Sequence, residues 1–177
     1  MSGAPSESRQ RSGTVGGTIG VMTPTFQLVP IDPATADRLR AAHPDAPVFV
    51  ADAYPGYPCR QCLRDAEVGD ELVLVSYDPF TVTSPYRSAS PIFLHRYPCS
   101  PPADVAVIPE QLAVRQLSVR AFDAAAMMLD AAVVPGIDLA ATVRRFFGDD
   151  STDHIHVHNA TRGCWAVRVE RGFANSG

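Results

Sequence analysis

The chain has 177 residues, of which 46% are hydrophobic, and this suits one domain with a single core. Its net charge of −4 argues against a nucleic-acid-binding protein, which normally carries a basic face. All 15 basic residues are arginine, so lysine Schiff-base chemistry, a phosphate-binding P-loop and a lysine general base are excluded. No apolar run approaches the roughly 18 residues that a membrane span needs.

The N-terminal 24 residues are polar and glycine-rich, and they lack the apolar block of a signal peptide. We expect a disordered tail over 1–24 and one globular domain over 25–173. Four cysteines without a secretion signal indicate reduced thiols or metal ligands in the cytoplasm.

The hydrophobic patterning predicts an α+β fold, mainly antiparallel sheet with about two α-helices. The first helix follows Asp32 as N-cap and Pro33, and runs to about His43. The second covers 138–147, with Asp138 as its cap and Gly148 as its stop. The predicted strands are, in chain order, PVFVADA, ELVLVSY, IFLH, VAVI, VRQLSVRAF, AAMMLDAAVV, HIHVHN and CWAVRVER.

His154, His156 and His158 alternate along the penultimate strand, so their side chains share one face. The last strand begins at Cys164, after the short connection ATRG. We predict that these two strands form an antiparallel hairpin.

Pairing Val157 with Trp165 keeps the apolar faces of this hairpin together, and it sets His158 opposite Cys164 with Cβ atoms about 5 Å apart. A neighbouring imidazole favours the thiolate, the reactive form of cysteine. His156, His158 and Cys164 could instead bind zinc or iron. A third interpretation has the histidines on a solvated face and Cys164 as an inert buried side chain.

Cys59 and Cys62 form a CxxC pair in a proline-rich loop. With His95 and Cys99 they could supply four zinc ligands, but HxxxC beside prolines is not a typical zinc knuckle. A redox pair would open a helix after a strand, which this loop does not. We therefore expect no resident metal or cofactor. In this interpretation Cys59 is a lone reactive or structural cysteine beside Arg60, and Cys62→Ser leaves stability and metal content nearly unchanged.

Four segments, PGYPCRQCLRDAEVGDELVLVSYDPF, SPYRSASPIFLH, LSVRAFDAAAMMLDAAVV and IHVHNATRGCWAVRVER, resemble the bacterial domain-of-unknown-function family 1203 from about residue 26 to residue 171. In that family the position of Cys62 is often serine and the region of Cys99 varies, which implies that a zinc site there is not a family feature. The resemblance implies no activity. The family pattern falls on Cys59, Arg60, Asp65, Pro85, Tyr86, Arg87, Arg120, His158, Asn159, Gly163 and Cys164.

From these residues we expect a small soluble enzyme that acts on an anionic small molecule, its reaction being acyl transfer, isomerisation, cyclisation or elimination. The alternatives are a noncatalytic ligand- or partner-binding domain and a metal-dependent enzyme that uses the HxH strand. We expect neither nucleic acid nor a membrane as partner, and the sequence leaves a monomer and a homodimer open. The expected catalytic residues are Cys59, His158, Asn159 and Cys164, and the expected substrate-binding residues are Arg60, Tyr86, Arg87 and Arg120.

Overall fold

Residues 25–172 are described by the computed structural model, and within them eight strands form two antiparallel sheets. The predicted tail, 1–24, lies outside the described residues, as does the C-terminal end from residue 173. The fold is α+β in a single domain, as the sequence predicts. Its elements are β1 (Phe26–Val29), α1 (Pro33–Ala42), β2 (Val48–Val50), β3 (Glu71–Tyr77), β4 (Ser90–His95), α2 (Glu110–Ala113), β5 (Gln116–Phe122), β6 (Met128–Pro135), α3 (Leu139–Phe147), β7 (His154–Asn159) and β8 (Trp165–Arg171).

The larger sheet has the strand order β1-β8-β7-β5-β6. One face of it carries the main apolar core, where Val119, Val157 and Val167 are fully buried. Helix α3 contributes Val143 and Phe147 to the same core, because its apolar side chains fall on one face at helical spacing.

The smaller sheet has the order β2-β3-β4, and Trp165 joins it to the larger one. The indole ring lies 5.0 Å from the ring of Tyr77 and shares an apolar cluster with Ile92 and Leu94 of β4. Since Trp165 is the first residue of β8, the two sheets meet at the beginning of this strand.

Both long helices lie close to their predicted positions. The Asp32 carboxylate accepts a hydrogen bond from the Thr35 amide at 2.9 Å and so caps α1. Helix α3 begins at Leu139, and Asp138 makes no capping bond with its side chain because it closes a preceding 3₁₀ turn, Gly136–Asp138. Neither these helices nor α2 offers the length and apolar character that a membrane crossing needs, as far as the described part of the chain extends.

Three local predictions were wrong or incomplete. VAVI, at 105–108, is not a strand; its Val105 carbonyl accepts one hydrogen bond, 2.7 Å long, from the Leu28 amide. The four-residue helix α2 was not predicted, since one turn is too short to show a periodic pattern. Strand β1 was also missed, although it pairs with β8 along its whole length.

The β7–β8 hairpin forms, but its predicted register was wrong by two residues. Val157 lies opposite Val167, and beyond a bulge His158 lies opposite Trp165 rather than Cys164. A shift of two residues leaves every side chain on the same face, so the apolar pattern alone could not distinguish the two registers.

Gly136 provides a test of the packing between α2 and the turn before α3. A Cβ at this residue would lie 1.9 Å from the Leu112 carbonyl oxygen, and backbone cannot yield as a flexible side chain does. We expect Gly136→Ala to lower the free energy of unfolding in urea by about 3 kcal/mol. Gly69→Ala meets no atom within 4 Å, and only its φ of +98° opposes the substitution, so this control should lose about 1 kcal/mol. Equal losses would contradict the packing argument.

Candidate functional site

A cleft of about 810 Å³ opens between the smaller sheet and the turn that joins β7 to β8. Phe49 and Phe93 contribute apolar side chains from the smaller sheet. A cleft of this size is in the range of small-molecule sites. Its polar lining includes Arg60, Arg115, Asn159, Arg162 and Cys164.

Arg60 is the most unusual residue of the cleft, because its side chain is only 1% exposed and has no carboxylate partner among residues 25–172. Its guanidinium donates to the Trp165 carbonyl at 2.7 Å and to the Pro58 carbonyl at 2.6 Å. The third contact, 3.5 Å long, runs from Nη2 to the Cys164 Sγ. Burial lowers the pKa of Arg60, while the charge and hydrogen bond of Cys164 act in the opposite direction.

Cys164 receives a second donor from Asn159, whose Nδ2 lies 3.4 Å from Sγ. The turn between these residues is closed by the main-chain N–H of Asn159, which donates to the Cys164 carbonyl at 3.0 Å. Gly163 has a φ of +73°, a conformation that favours glycine, and its amide donates to the Asn159 carbonyl. Two N–H donors therefore converge on a sulfur that also lines the open cleft.

The other two arginines of the cleft differ in how their charge is balanced. Arg115 makes a bidentate ion pair with the buried Asp65, at 2.6 and 2.8 Å. Arg162 is exposed and has no hydrogen-bond or carboxylate partner within the described part of the chain. Sequence reasoning missed Arg162, although it lies in HNATRGC, the segment that supplies Asn159 and Cys164.

The remaining predicted substrate-binding residues lie away from the cleft. Arg87 is exposed and pairs with Asp78. Tyr86 is also exposed, on the same loop. Arg120, on β5, donates from Nε to the Ser118 hydroxyl at 3.1 Å. The structure thus brings Arg60, Asn159 and Cys164 together, but not Tyr86, Arg87 and Arg120.

The three histidines of β7 lie on the face of the larger sheet that Phe80 and Phe122 cover. His156 is completely buried, and neither ring nitrogen has a hydrogen-bond partner among the described residues. Desolvation lowers the pKa of His156 to about 2, with smaller contributions from His154 and His158. This imidazole is therefore neutral and packed like an aromatic side chain.

His158 contacts the turn rather than the thiol. Its Nδ1 lies 3.0 Å from the Gly163 carbonyl oxygen, which can only accept, so Nδ1 carries the proton. Burial lowers the pKa of His158 to about 4. Of the predicted catalytic residues, Asn159 and Cys164 are in contact, His158 supports their turn, and Cys59 lies in a different group.

That group consists of Cys59, Cys62, His95 and Cys99, whose ligand atoms all lie within 4.8 Å of one another. It is the one such cluster of three or more metal-ligating side chains found within 25–172. Hydrogen bonds from Cys62 and Cys99 lower the pKa of Cys59, whereas the hydrogen bonds with Cys59 and Cys62 raise the pKa of Cys99.

His156, His158 and Cys164, the alternative metal ligands from the sequence, do not form a cluster of this kind. His156 lies under the rings of Phe80 and Phe122, while Cys164 lies in the cleft.

Comparison with known proteins gives one family. Residues 56–171 match the model of the family described as protein of unknown function (DUF1203), and the chain therefore belongs to it. This match confirms the resemblance seen in the sequence. No curated protein and no solved structure matches the chain.

The buried histidines predict a loss of stability in acid. His156 and His158 titrate near 6.5 when unfolded but have lowered pKa values when folded, so below about pH 6.5 the unfolded state binds protons that the folded state does not. Stability should fall as pH decreases through this window, by about 1.4 kcal/mol per pH unit for each histidine. His156→Phe keeps an aromatic ring but removes one titrating group. The free energy of unfolding, measured by urea titration at several pH values, should therefore depend on pH less steeply, by about 1.4 kcal/mol per pH unit.

The matched control is His43→Gln, at the C-cap of α1 and far from this face. Arg120 and Arg168 also face His156, and their charges add to the lowering of its pKa. An unchanged slope in His156→Phe would contradict the assignment of a neutral buried imidazole.

Proposed function

We propose that this member of the DUF1203 family is a thiol-dependent enzyme that acts on an anionic small molecule bound in the cleft. The observation that carries the proposal is the environment of Cys164. Its sulfur lines the cleft and lies within 3.5 Å of a buried guanidinium and 3.4 Å of an amide donor. Structural cysteines ordinarily lie in apolar surroundings, away from such donors.

Cys164 serves as the nucleophile or as the acid–base group. Hydrogen bonds from a cation and from an amide stabilise a sulfur anion more than a neutral thiol, and the thiolate is the reactive form. Arg60 also fixes the position of the sulfur, because its guanidinium donates two further bonds to backbone carbonyls. The main-chain N–H of Asn159 donates to the Cys164 carbonyl and so holds the two residues together. A preorganised donor pair of this kind needs no rearrangement when charge develops at the reacting atom.

His158 acts in this proposal as a positioning residue. Its Nδ1–H holds the Gly163 carbonyl, and Gly163 lies directly before Cys164. The sequence analysis expected His158 to be the neighbour of the Cys164 sulfur; in this proposal Arg60 and Asn159 are its neighbours instead.

The substrate is anionic because of Arg162. Of the three arginines that line the cleft, Arg162 is the exposed one. Its guanidinium is suited to bidentate binding of a carboxylate or phosphate. The charge of Arg115 is balanced by Asp65, and the guanidinium of Arg60 is buried in contact with Cys164, so neither is as available to a substrate as Arg162. Asp52 also lines the cleft, where its carboxylate accepts from the Tyr57 hydroxyl at 2.9 Å, so anion binding should be strongest near Arg162.

The proposal includes a cytoplasmic location, where the thiols stay reduced, and no role for nucleic acid or membrane. A noncatalytic ligand-binding domain would use the same cleft but would not need a reactive sulfur. The reactivity of Cys164 therefore distinguishes the two functions.

The test compares alkylation of Cys164 by iodoacetate, an anion, and by iodoacetamide, its neutral counterpart, followed by peptide mass spectrometry. We expect Cys164 to be labelled first among the four cysteines, and to prefer iodoacetate more than a free cysteine derivative does. Arg162→Gln should slow the reaction with iodoacetate about two- to fivefold, the effect of one exposed charge, and leave iodoacetamide unaffected.

Arg144→Gln is the matched control, an exposed arginine on α3 that does not line the cleft, and it should change neither rate. A Cys164 that resists both reagents in the folded protein would contradict the enzyme and favour the noncatalytic domain. Equal effects of Arg162→Gln on both reagents would contradict the anionic substrate.

A further inference from the structure

We propose that Cys59, Cys62, His95 and Cys99 bind one zinc ion in a closed tetrahedral site with a structural role. The four ligand atoms come from the turn after Pro58, from the end of β4 and from the loop that follows it. This inference goes beyond the function proposed above, because neither its chemistry nor its test depends on the reaction at Cys164.

Two of the six distances within the cluster match the edges of a tetrahedron around zinc, and all six are at most 4.8 Å. With Zn–S of about 2.3 Å and Zn–N of about 2.1 Å, ideal tetrahedral edges are about 3.8 Å between two sulfurs and about 3.6 Å between sulfur and nitrogen. The sulfurs of Cys59 and Cys99 are 3.8 Å apart, and the Cys62 Sγ lies 3.7 Å from the His95 Nδ1. Four side chains brought to these separations leave room for an ion at their centre.

A carboxylate lies near the outer nitrogen of the histidine ligand. The His95 Nε2 lies 3.5 Å from the Asp70 carboxylate, which favours the proton on Nε2 and leaves the Nδ1 lone pair for the metal. Carboxylate–histidine–zinc arrangements are the usual second shell of protein zinc sites. The pairing with Asp70 is an observation independent of the three sulfurs, and it indicates the same ion.

The turn that carries the two CxxC cysteines is tightly defined. The Cys59 amide donates to the Arg64 carbonyl at 3.0 Å. Leu63, directly after Cys62, is fully buried with a φ of 52°, a conformation that a bulky residue rarely adopts. Such a residue persists only where its surroundings enforce it, and a metal bound by Cys59 and Cys62 would do so.

The loop with Cys99 is fastened to this turn by side chains. Gln61 donates from Nε2 to the Cys99 carbonyl at 2.5 Å and accepts from Arg40 of α1 at 2.7 Å. Arg40 also donates to the His95 carbonyl at 2.9 Å. The three segments are thus held together around the cluster by groups other than the ligands.

Zinc fits this donor set better than a redox role does. Three thiolates and one imidazole form one of the standard structural zinc sites, and the buried Cys59 and Cys62 leave no open coordination position. All four cysteines are free thiols, and four ligands rather than two converge. A disulfide between any two of the three cluster cysteines would leave the third thiol and His95 without a role.

Zinc would also support the cleft. Cys59 and Cys62 flank Arg60, so an ion that fixes both fixes the backbone from which the guanidinium reaches Cys164. The ion itself would have a structural role and would not be part of the cleft.

The experiment is elemental analysis of the full chain, purified without an affinity tag or added metal. We expect about one zinc per chain in the wild type and in Cys164→Ser, a cysteine outside the cluster. Cys62→Ser should lose its zinc, which reverses the expectation from the sequence that this variant keeps its metal content. Asp70→Asn, at a partly exposed carboxylate, should fold and bind zinc about tenfold more weakly in competition with a chromophoric chelator.

Cobalt substitution provides a second measurement in case Cys62→Ser does not fold. The wild type loaded with Co²⁺ should show the intense visible bands of tetrahedral cobalt and thiolate-to-metal charge transfer. Protein that neither contains zinc nor takes up stoichiometric Zn²⁺ or Co²⁺ would overturn the proposal. So would iron in place of zinc, or an intact mass showing a disulfide within the cluster. The charge preference in the alkylation test is read at Cys164 and the metal content at the cluster, so a failure of one proposal can be told from a failure of the other.

Discussion

The rest of the structure depends on the buried guanidinium of Arg60. A charge removed from water is costly unless hydrogen bonds replace its hydration. Two backbone carbonyls and the Cys164 sulfur do this, and they come from the turn before Arg60 and from the beginning of β8. A contact across 104 residues is thereby made obligatory, because losing any acceptor would leave a buried charge partly unpaired.

This constraint explains why the turn around Arg60 is so heavily supported. Its backbone pairs with Phe93 of β4, and the Asp65 carboxylate is held by Arg115. The Cys59–Cys62 cluster lies on the same turn. Each support restricts the backbone on one side of Arg60, so the guanidinium can reach only toward β8. The cleft exists because the turn is held in this position, between the smaller sheet and the hairpin.

The sequence predicted what is locally encoded. Helix α1 follows from its capping residue, and helix α3 and the β7–β8 hairpin follow from periodicity within short windows. The hairpin register depended on the length of the turn, which apolar alternation does not specify to within two residues. The convergence of His95 and Cys99 on Cys59 depended on β4 pairing with the smaller sheet, and spacing along the chain cannot show it. Arg162 is an exposed turn residue, so no hydrophobic periodicity in the sequence could mark it as part of the cleft.

The four cysteines divide into two chemical environments, and Arg60 lies between them. Cys59 and Cys62 are buried, and their sulfurs lie within 4.8 Å of each other, of the Cys99 sulfur and of a His95 ring nitrogen. Cys164 instead lies half-buried at a cleft, with donors from Arg60 and Asn159. A fully buried sulfur cannot be reached by a substrate. Under the two proposals above, Cys164 is therefore the sulfur that reacts, while Cys59, the other cysteine that the sequence offered as a nucleophile, holds the turn.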